Sequence, residues 1–338
     1  MKVLIKIVLT FTLIISSANA NENNESNRLI NTDRFVPFEE ETSYLILQDT
    51  GGDERSWEGR YAFEYILYNC ELGNKKGNIC KKRPDLFEFT FSYVGEFDFY
   101  ALTRYSGPVI NRISNPAFNI RYKPNKESWP SDYLTLYMFG VSAEHRSNGQ
   151  VTSVYDKDTD VNSTTSGQYN TQIAYENNDR YYFDGISRGA DYVTAKLNIQ
   201  IGKNSATKES CNSNIGCFDV GLSYKYYIHD NNDITWGELV GSDTGVEDYD
   251  IFRVKVINMF KTPLPFLVNH KTTLELDYTV GKKGLKTDSY DVSITVPVQF
   301  FGLKLPMYAR FHNGPMDRLS DYTKEYNSLG IGLVFTHK

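Results

Sequence analysis

Beyond its first twenty residues, the chain has no apolar run long enough for a membrane-spanning helix. Such a helix needs about 20 consecutive apolar residues, and no later segment comes near this length. Positive charge is not in excess either, since the formal net charge is −6, and nucleic-acid binding is therefore not indicated. Histidine is scarce, with 5 residues in 338, and His229, His270 and His312 show no spacing typical of metal ligands.

Only four cysteines are present, and they form two close pairs along the sequence. The pairs are Cys70 with Cys80 and Cys211 with Cys217, and neither has the Cys-x-x-Cys spacing of a metal site. In an exported protein, close pairs that flank polar stretches indicate local disulfides that pin loops. We therefore expect two such disulfides.

Export is predicted by the first twenty residues. Lys2 and Lys6 precede an apolar segment at 8–15, and small residues follow at 18–20. This pattern is typical of a secretory signal peptide over residues 1–20. Residues 21–43 are polar and acidic and are expected to form a flexible periplasmic extension, and residues 44–338 to form the folded domain.

The folded domain shows repeated alternation of apolar and polar residues. In residues 191–201 the apolar side chains occupy odd positions, and the pattern recurs at 218–228, 274–280 and 292–300. Further strands are predicted at 59–68, 86–94, 97–105, 117–124, 133–147, 249–258, 303–312 and 327–335. The total of about twelve, with many aromatic residues near strand ends, favours an all-β transmembrane barrel over a secreted β-sandwich.

A base and a nucleophile lie at the end of one predicted strand. The odd positions of residues 133–147 form a mostly apolar row that ends in His145 and Ser147, and alternate residues of a strand point to the same side. Residues 151–186 follow and are too polar for a core and too long for a periplasmic turn, so we predict an extracellular loop. The pair is thus expected at the extracellular end of its strand.

Asp191 is the candidate for a third member of this group. A serine hydroxyl becomes a nucleophile when a base takes its proton and a further group orients that base. Asp191 begins the next strand with the parity of an apolar row, where a carboxylate is costly unless it is paired. Pairing with His145 would explain its presence and would complete a Ser-His-Asp arrangement.

The chain resembles the outer membrane phospholipase A family. The shared motifs are His-x-Ser-Asn-Gly at 145–149 and Ser187-Arg188 with a polar residue four positions after the serine, and weaker similarities lie at 43–46, 116–124 and 314–332. The resemblance implies a twelve-stranded outer-membrane β-barrel whose active site faces the cell exterior. It also implies calcium-dependent hydrolysis of acyl esters in membrane phospholipids, as a phospholipase A1 or A2, and activation by a reversible homodimer.

The same resemblance assigns roles by matching position. Ser147 becomes the nucleophile and His145 the general base, Asp191 stands where the family usually has Asn, and the Gly149 N–H becomes an oxyanion donor.

Calcium (Ca2+) ligands are implied in the same way. They would be the Gln150 carbonyl and the Ser187 hydroxyl, with a further ligand from the partner chain near Ser114 or Asn115. Calcium takes oxygen ligands of this kind.

Two other functions stay open. A passive outer-membrane porin would use a polar row as its channel lining, and a catalytically silent surface barrel would depend on loop 151–186. The polar row consists of Lys196, Asn198, Gln200, Lys225, Glu275 and Asp277. Neither function accounts for a histidine, a serine and an aspartate on one face.

Overall fold

The computed structural model consists of β-structure throughout the part of the chain that it describes. The described residues are 34–38, 40–49, 55–69, 86–100, 109–124, 134–149, 188–202, 217–228, 245–261, 271–300, 303–317 and 323–335. Within these ranges the helical elements are two short 3-10 turns, Val246–Asp248 and Gly284–Lys286. No helix in the same ranges is long and apolar enough to cross a membrane.

Thirteen strands form one antiparallel sheet. They are β1 (Phe35–Pro37), β2 (Tyr44–Asp49), β3 (Arg55–Asn69), β4 (Leu86–Phe99), β5 (Val109–Lys123), β6 (Leu134–Ser147), β7 (Gly189–Ile201), β8 (Cys217–Ile228), β9 (Phe252–Lys261), β10 (Lys271–Val280), β11 (Ser289–Phe300), β12 (Leu303–Gly314) and β13 (Tyr326–Val334). From β2 onward each strand pairs with the next, and β13 pairs with β2. The result is a closed barrel of twelve strands, which confirms the predicted fold.

The two faces of the barrel wall differ in polarity. Outward side chains include Phe118, Ile120, Phe139, Val141, Leu274, Leu276, Leu329 and Ile331, all of them exposed. Buried inward side chains include Thr90, Ser92, Asn119, Arg121, Ser142, Thr194, Gln200, Asp277, Ser293 and His312. An apolar exterior around a polar interior is the reverse of a soluble core and is typical of a barrel that lies in lipid.

The structure differs from the predicted strands in two ways, and together these leave the number of barrel strands at twelve. The segments 86–94 and 97–105 were expected as separate strands, whereas β4 runs unbroken past Gly95. The ring of Tyr61 covers Gly95, so that a Cβ there would lie 2.2 Å from the Cζ of Tyr61, and a register shift follows between Glu96 and Asp98. The missed strand is β2, whose inward residues Tyr44 and Ile46 are apolar and hide the alternation.

The two ends of the barrel are distinct. We call the end at which β6 finishes and β7 begins the upper end, and the end at which β2 begins and β13 finishes the lower end. The predicted signal peptide, both predicted disulfides and loop 151–186 involve residues outside the described ranges and stay predictions.

Residues 34–43 differ from the expected flexible extension. β1 pairs with β3 through Phe35↔Tyr65 and Pro37↔Phe63, and Phe38 is buried against Ala62 and Val94. Residue 38 and residues 40–43 therefore leave the barrel wall between β1 and β2 and enter the lumen. We call residues 38–43 the plug segment.

Two carboxylates of the plug segment hold it across the lumen. Glu40 lies 3.1 Å from Arg121 on β5 and 2.9 Å from Lys196 on β7. Glu41 lies 2.6 Å from Arg60 on β3 and 3.1 Å from Arg253 on β9. Since β3 and β9 are six strands apart in a twelve-stranded ring, these ion pairs join opposite walls of the barrel.

The plug segment divides the interior of the barrel. A cavity of about 170 Å³ lies toward the upper end, and one of about 460 Å³ lies toward the lower end. Glu41 contributes to the walls of both cavities. Glu40 and Glu41, which the sequence predicts to lie in a flexible polar extension, thus neutralise cations of the lumen in the folded protein.

Candidate active site on the outer wall

His145 and Asp191 lie opposite each other at the upper end of β6 and β7. They are register partners, and the Nδ1 of His145 lies 2.7 Å from the Oδ1 of Asp191. Both point outward, with side chains 46% and 54% exposed. The predicted pairing of these two residues is present.

The hydrogen-bond pattern of the ladder explains why the two side chains meet. Asn148 donates its backbone N–H to the Arg188 carbonyl at 3.0 Å, which marks 148 and 188 as a hydrogen-bonded pair. Pairs alternate along an antiparallel ladder, so His145 and Asp191 form a non-hydrogen-bonded pair. Side chains approach more closely in such pairs.

Ser147 lies beside the imidazole because Gly189 leaves space. Its register partners are Gly189 on β7 and Ser114 on β5. A Cβ at Gly189 would lie 3.3 Å from the Cβ of Ser147 and 3.7 Å from the Cε1 of His145. The serine and the imidazole therefore flank one small space on the outer wall.

Gly149 turns the chain directly after Ser147 and Asn148. Its φ of +57° lies in the left-handed region, which glycine adopts without steric cost. The nearest heavy atom to a Cβ there is the Arg112 carbonyl oxygen at 3.9 Å. Backbone conformation, rather than lack of space, requires glycine at this position.

The residues expected to bind calcium are only partly described. Gln150 and Ser187 lie outside the described ranges. Asn115 donates from Nδ2 to the Tyr192 hydroxyl at 3.3 Å and lines the upper cavity, so it faces the lumen. Its neighbour Ser114 has the outward parity and is the register partner of Ser147.

Clusters of metal-binding side chains of another kind are absent from the described part of the chain. No group of three or more histidines, cysteines, aspartates or glutamates there is arranged to hold a metal ion. A calcium site built from hydroxyl and carbonyl oxygens is not of that kind.

An apolar cluster supports β7 from the lumen side. Tyr192 packs there with Tyr227 and Val246, and Met316 joins from the β12–β13 connection. Met316 has a φ of 72°, which is rare for a bulky side chain and costs conformational energy. The strained connection thus reaches the inner surface of the strand that carries Asp191.

Two further residues of the site were not assigned a role from sequence. Asn148 and Arg188 are buried, with 0% and 1% of their surface exposed. The Arg188 N–H donates to the Oδ1 of Asn148 at 2.8 Å. The Ser-Asn-Gly and Ser-Arg motifs contain both residues, but their contact joins positions 40 apart and only the fold reveals it.

The site lies in an apolar setting. Along the outward face of β6, Phe139 and Val141 precede His145 and are 48% and 41% exposed. A histidine, a carboxylate and a serine at the end of such a face are placed for proton transfer to and from a molecule that contacts the outer wall.

The fold and the site together define a transmembrane β-barrel protein that carries the polar side chains of His145, Ser147 and Asp191 on its lipid-facing wall. No protein-family model matches the chain, and no curated protein is similar to it in sequence.

Solved structures similar to this fold include outer membrane phospholipase A from Escherichia coli, at 13% identity and a TM-score of 0.56, over 93% of this chain and 95% of that one. An active-site mutant of the Escherichia coli protein gives 14% and 0.55 over the same shares. The Salmonella typhi outer membrane phospholipase dimer with bound calcium gives 14% and 0.57, over 94% of each chain. At these identities the likeness shows the fold.

Proposed function

We propose that the protein is a phospholipase of the bacterial outer membrane that hydrolyses acyl esters of phospholipids. The observation that supports this most is the 2.7 Å contact between His145 and Asp191, on the outer wall beside Ser147. A carboxylate is costly on a surface that faces lipid unless it is paired, and such residues mark functional sites.

The proposed chemistry passes through an acyl-enzyme. Asp191 accepts the Nδ1–H of His145, which leaves Nε2 free to take the proton of the Ser147 hydroxyl. The serine oxygen attacks the ester carbonyl, and His145 then gives its proton to the departing lysophospholipid oxygen. In the second half, His145 takes a proton from a water molecule as the water oxygen attacks the acyl carbonyl. His145 then returns the proton to the Ser147 oxygen as the fatty acid leaves.

Negative charge on the carbonyl oxygen needs donors beside Ser147. We assign the Gly149 N–H to this role, because Gly149 follows the serine by two positions and its backbone leaves the extended conformation there, at a φ of +57°. A donor that is already in place stabilises an oxyanion without reorganisation during the reaction.

Calcium is the cofactor that fits the donors proposed here. The Ser114 hydroxyl, the Ser187 hydroxyl and the Gln150 carbonyl would hold it, since calcium prefers oxygen ligands. When bound, it would polarise the ester and stabilise the oxyanion. Of the two positions considered for a partner chain's ligand, Ser114 is favoured, because Asn115 faces the lumen and bonds Tyr192.

The apolar outer wall supports a location in a lipid bilayer, and an active site at the upper end is proposed to face the cell exterior. Phospholipid then reaches the site sideways from the membrane. A reversible homodimer is proposed because a calcium ligand from a second copy would lie beside Ser147.

A passive porin is less well supported. The predicted channel lining does face the lumen, but Lys196 is paired with Glu40 and Glu144, and Lys225 lies 2.5 Å from Asp250. The plug segment also crosses the interior. A catalytically silent barrel would leave the pairing of His145 with Asp191 without a purpose.

The experiment is fatty-acid release from mixed phospholipid micelles by the refolded protein, with calcium and then with EDTA. Ser147→Ala is the test variant, and Ser328→Ala, a buried lumen serine on β13, is the matched control. We expect activity that needs both calcium and Ser147 and that survives in the control. Equal activity in Ser147→Ala would refute the mechanism, and an inactive wild type under dimer-promoting detergent would favour the porin.

A further inference from the structure

Asn148 completes the last described rung of the β6–β7 ladder in an unusual way. In a regular antiparallel pair, two residues exchange two backbone N–H···O=C bonds. Asn148 donates its N–H to the Arg188 carbonyl at 3.0 Å, as expected. The reciprocal N–H of Arg188 instead donates to the side-chain Oδ1 of Asn148 at 2.8 Å.

The Asn148 side chain therefore replaces the Asn148 backbone carbonyl as the acceptor of the Arg188 N–H. Because Oδ1 satisfies the buried Arg188 N–H, the Asn148 carbonyl is not needed for that bond. The Arg188 N–H then does not hold the peptide group that joins Asn148 to Gly149 in the ladder. Gly149, which shares this peptide group, has a φ of +57° instead of the extended value of a strand, and the strand ends there.

This peptide group carries the Gly149 N–H. We propose that Asn148 is a positioning residue that aims the Gly149 N–H toward the oxygen bound beside Ser147. The inference rests on the proposed phospholipase function for the oxyanion role, whereas the control of the Gly149 backbone by Asn148 stands on the hydrogen bonds alone.

Replacement by alanine has a defined structural consequence. Buried backbone N–H groups in proteins are nearly always paired, and Asn148 and Arg188 are both fully buried. Without Oδ1, the Arg188 N–H recruits the backbone carbonyl of residue 148. That contact rotates the peptide group back into the ladder and turns the Gly149 N–H away from the site.

The kinetic arm of the test compares Asn148→Ala, Asn148→Asp and Asn119→Ala. Asp keeps an acceptor in the same place. Asn119 is the matched control, because it is also buried and bonds Thr90 and Ser92 through its side chain, far from the site. For Asn148→Ala we expect kcat to fall about 100-fold or more with KM little changed, as for loss of an oxyanion donor, and we expect Asp to restore most of it.

The structural arm is a crystal structure of Asn148→Ala. We expect the φ of Gly149 to leave the left-handed region and the carbonyl of residue 148 to accept the Arg188 N–H. An unchanged Gly149 backbone would overturn the proposal, as would a changed backbone with full kcat or an equal loss in Asn119→Ala. If the wild type has no esterase activity, the proposed function fails, and the crystal structure still decides whether Asn148 controls Gly149.

Discussion

Asp191 offers a direct measure of what the paired carboxylate contributes to the reaction. We consider Asp191→Ala, which removes the partner of His145, and Asp191→Asn, which keeps an oxygen able to accept the Nδ1–H. The first variant loses orientation and charge together, and the second loses charge alone.

The expected magnitude follows from the contact. At 2.7 Å the bond is charge-assisted, and hydrogen bonds to charged groups contribute about 1.5–3 kcal/mol. Because both side chains are about half exposed, screening favours the lower value. About 1.5 kcal/mol in the transition state corresponds to a fall in kcat of roughly tenfold for Asp191→Ala. Asp191→Asn should retain more activity than Asp191→Ala, because its carboxamide oxygen can still accept the Nδ1–H.

The assay is kcat for fatty-acid release from mixed micelles at saturating calcium. The refolded barrel is checked for each variant by the heat-dependent shift of its gel mobility. Activity of Asp191→Ala within twofold of wild type would refute a role for the pair. Equal losses in both variants would show that charge, and not orientation, is what His145 requires.

Three further results are expected. Gly189→Ala should lower kcat about tenfold without loss of the folded barrel. The new Cβ would lie 3.3 Å from the Cβ of Ser147, and a small misplacement of a reacting group lowers the rate strongly. Full activity would contradict the close approach. Ser114→Ala should raise the calcium concentration needed for half-maximal activity, and an unchanged calcium titration would remove it as a ligand. Replacing Glu40 and Glu41 together by Gln should increase ion conductance in planar bilayers, since the ion pairs across the lumen weaken; conductance equal to wild type would argue against a plug.

The fold was predictable because strand periodicity survives in most of the barrel wall. Where an inward residue is apolar, as Tyr44 and Ile46 are, the alternation vanishes and β2 escapes detection. β4 was predicted as two strands with a gap at residues 95–96, because a glycine that faces an aromatic ring of a neighbouring strand looks the same in sequence as one that turns the chain.

The candidate site was predictable as far as local parity and register allow. His145 and Ser147 share a face by spacing alone, and Asp191 joins them as the polar start of the next strand. The contact of Asn148 with Arg188 depends on which backbone groups pair across the ladder, and a single sequence does not encode this in a readable pattern.

The plug segment escaped prediction for a related reason. Residues 38–43 read as part of a polar extension, because the cations that neutralise Glu40 and Glu41 come from distant strands. Only the closed barrel brings Arg121, Lys196 and Arg253 to one level.

The same segment constrains the order in which the molecule assembles. The plug lies at the seam where the first and last barrel strands meet, and the Ser43 carbonyl accepts the Phe335 N–H at 2.8 Å. The contact of Glu41 with Arg253 spans 212 residues, and contacts of such separation form late because chain entropy opposes them. The acidic segment can therefore make all of its ion pairs only when strands β3–β9 curve as they do in the closed barrel. Because the segment also borders the seam, its docking and the closure of the sheet are coupled.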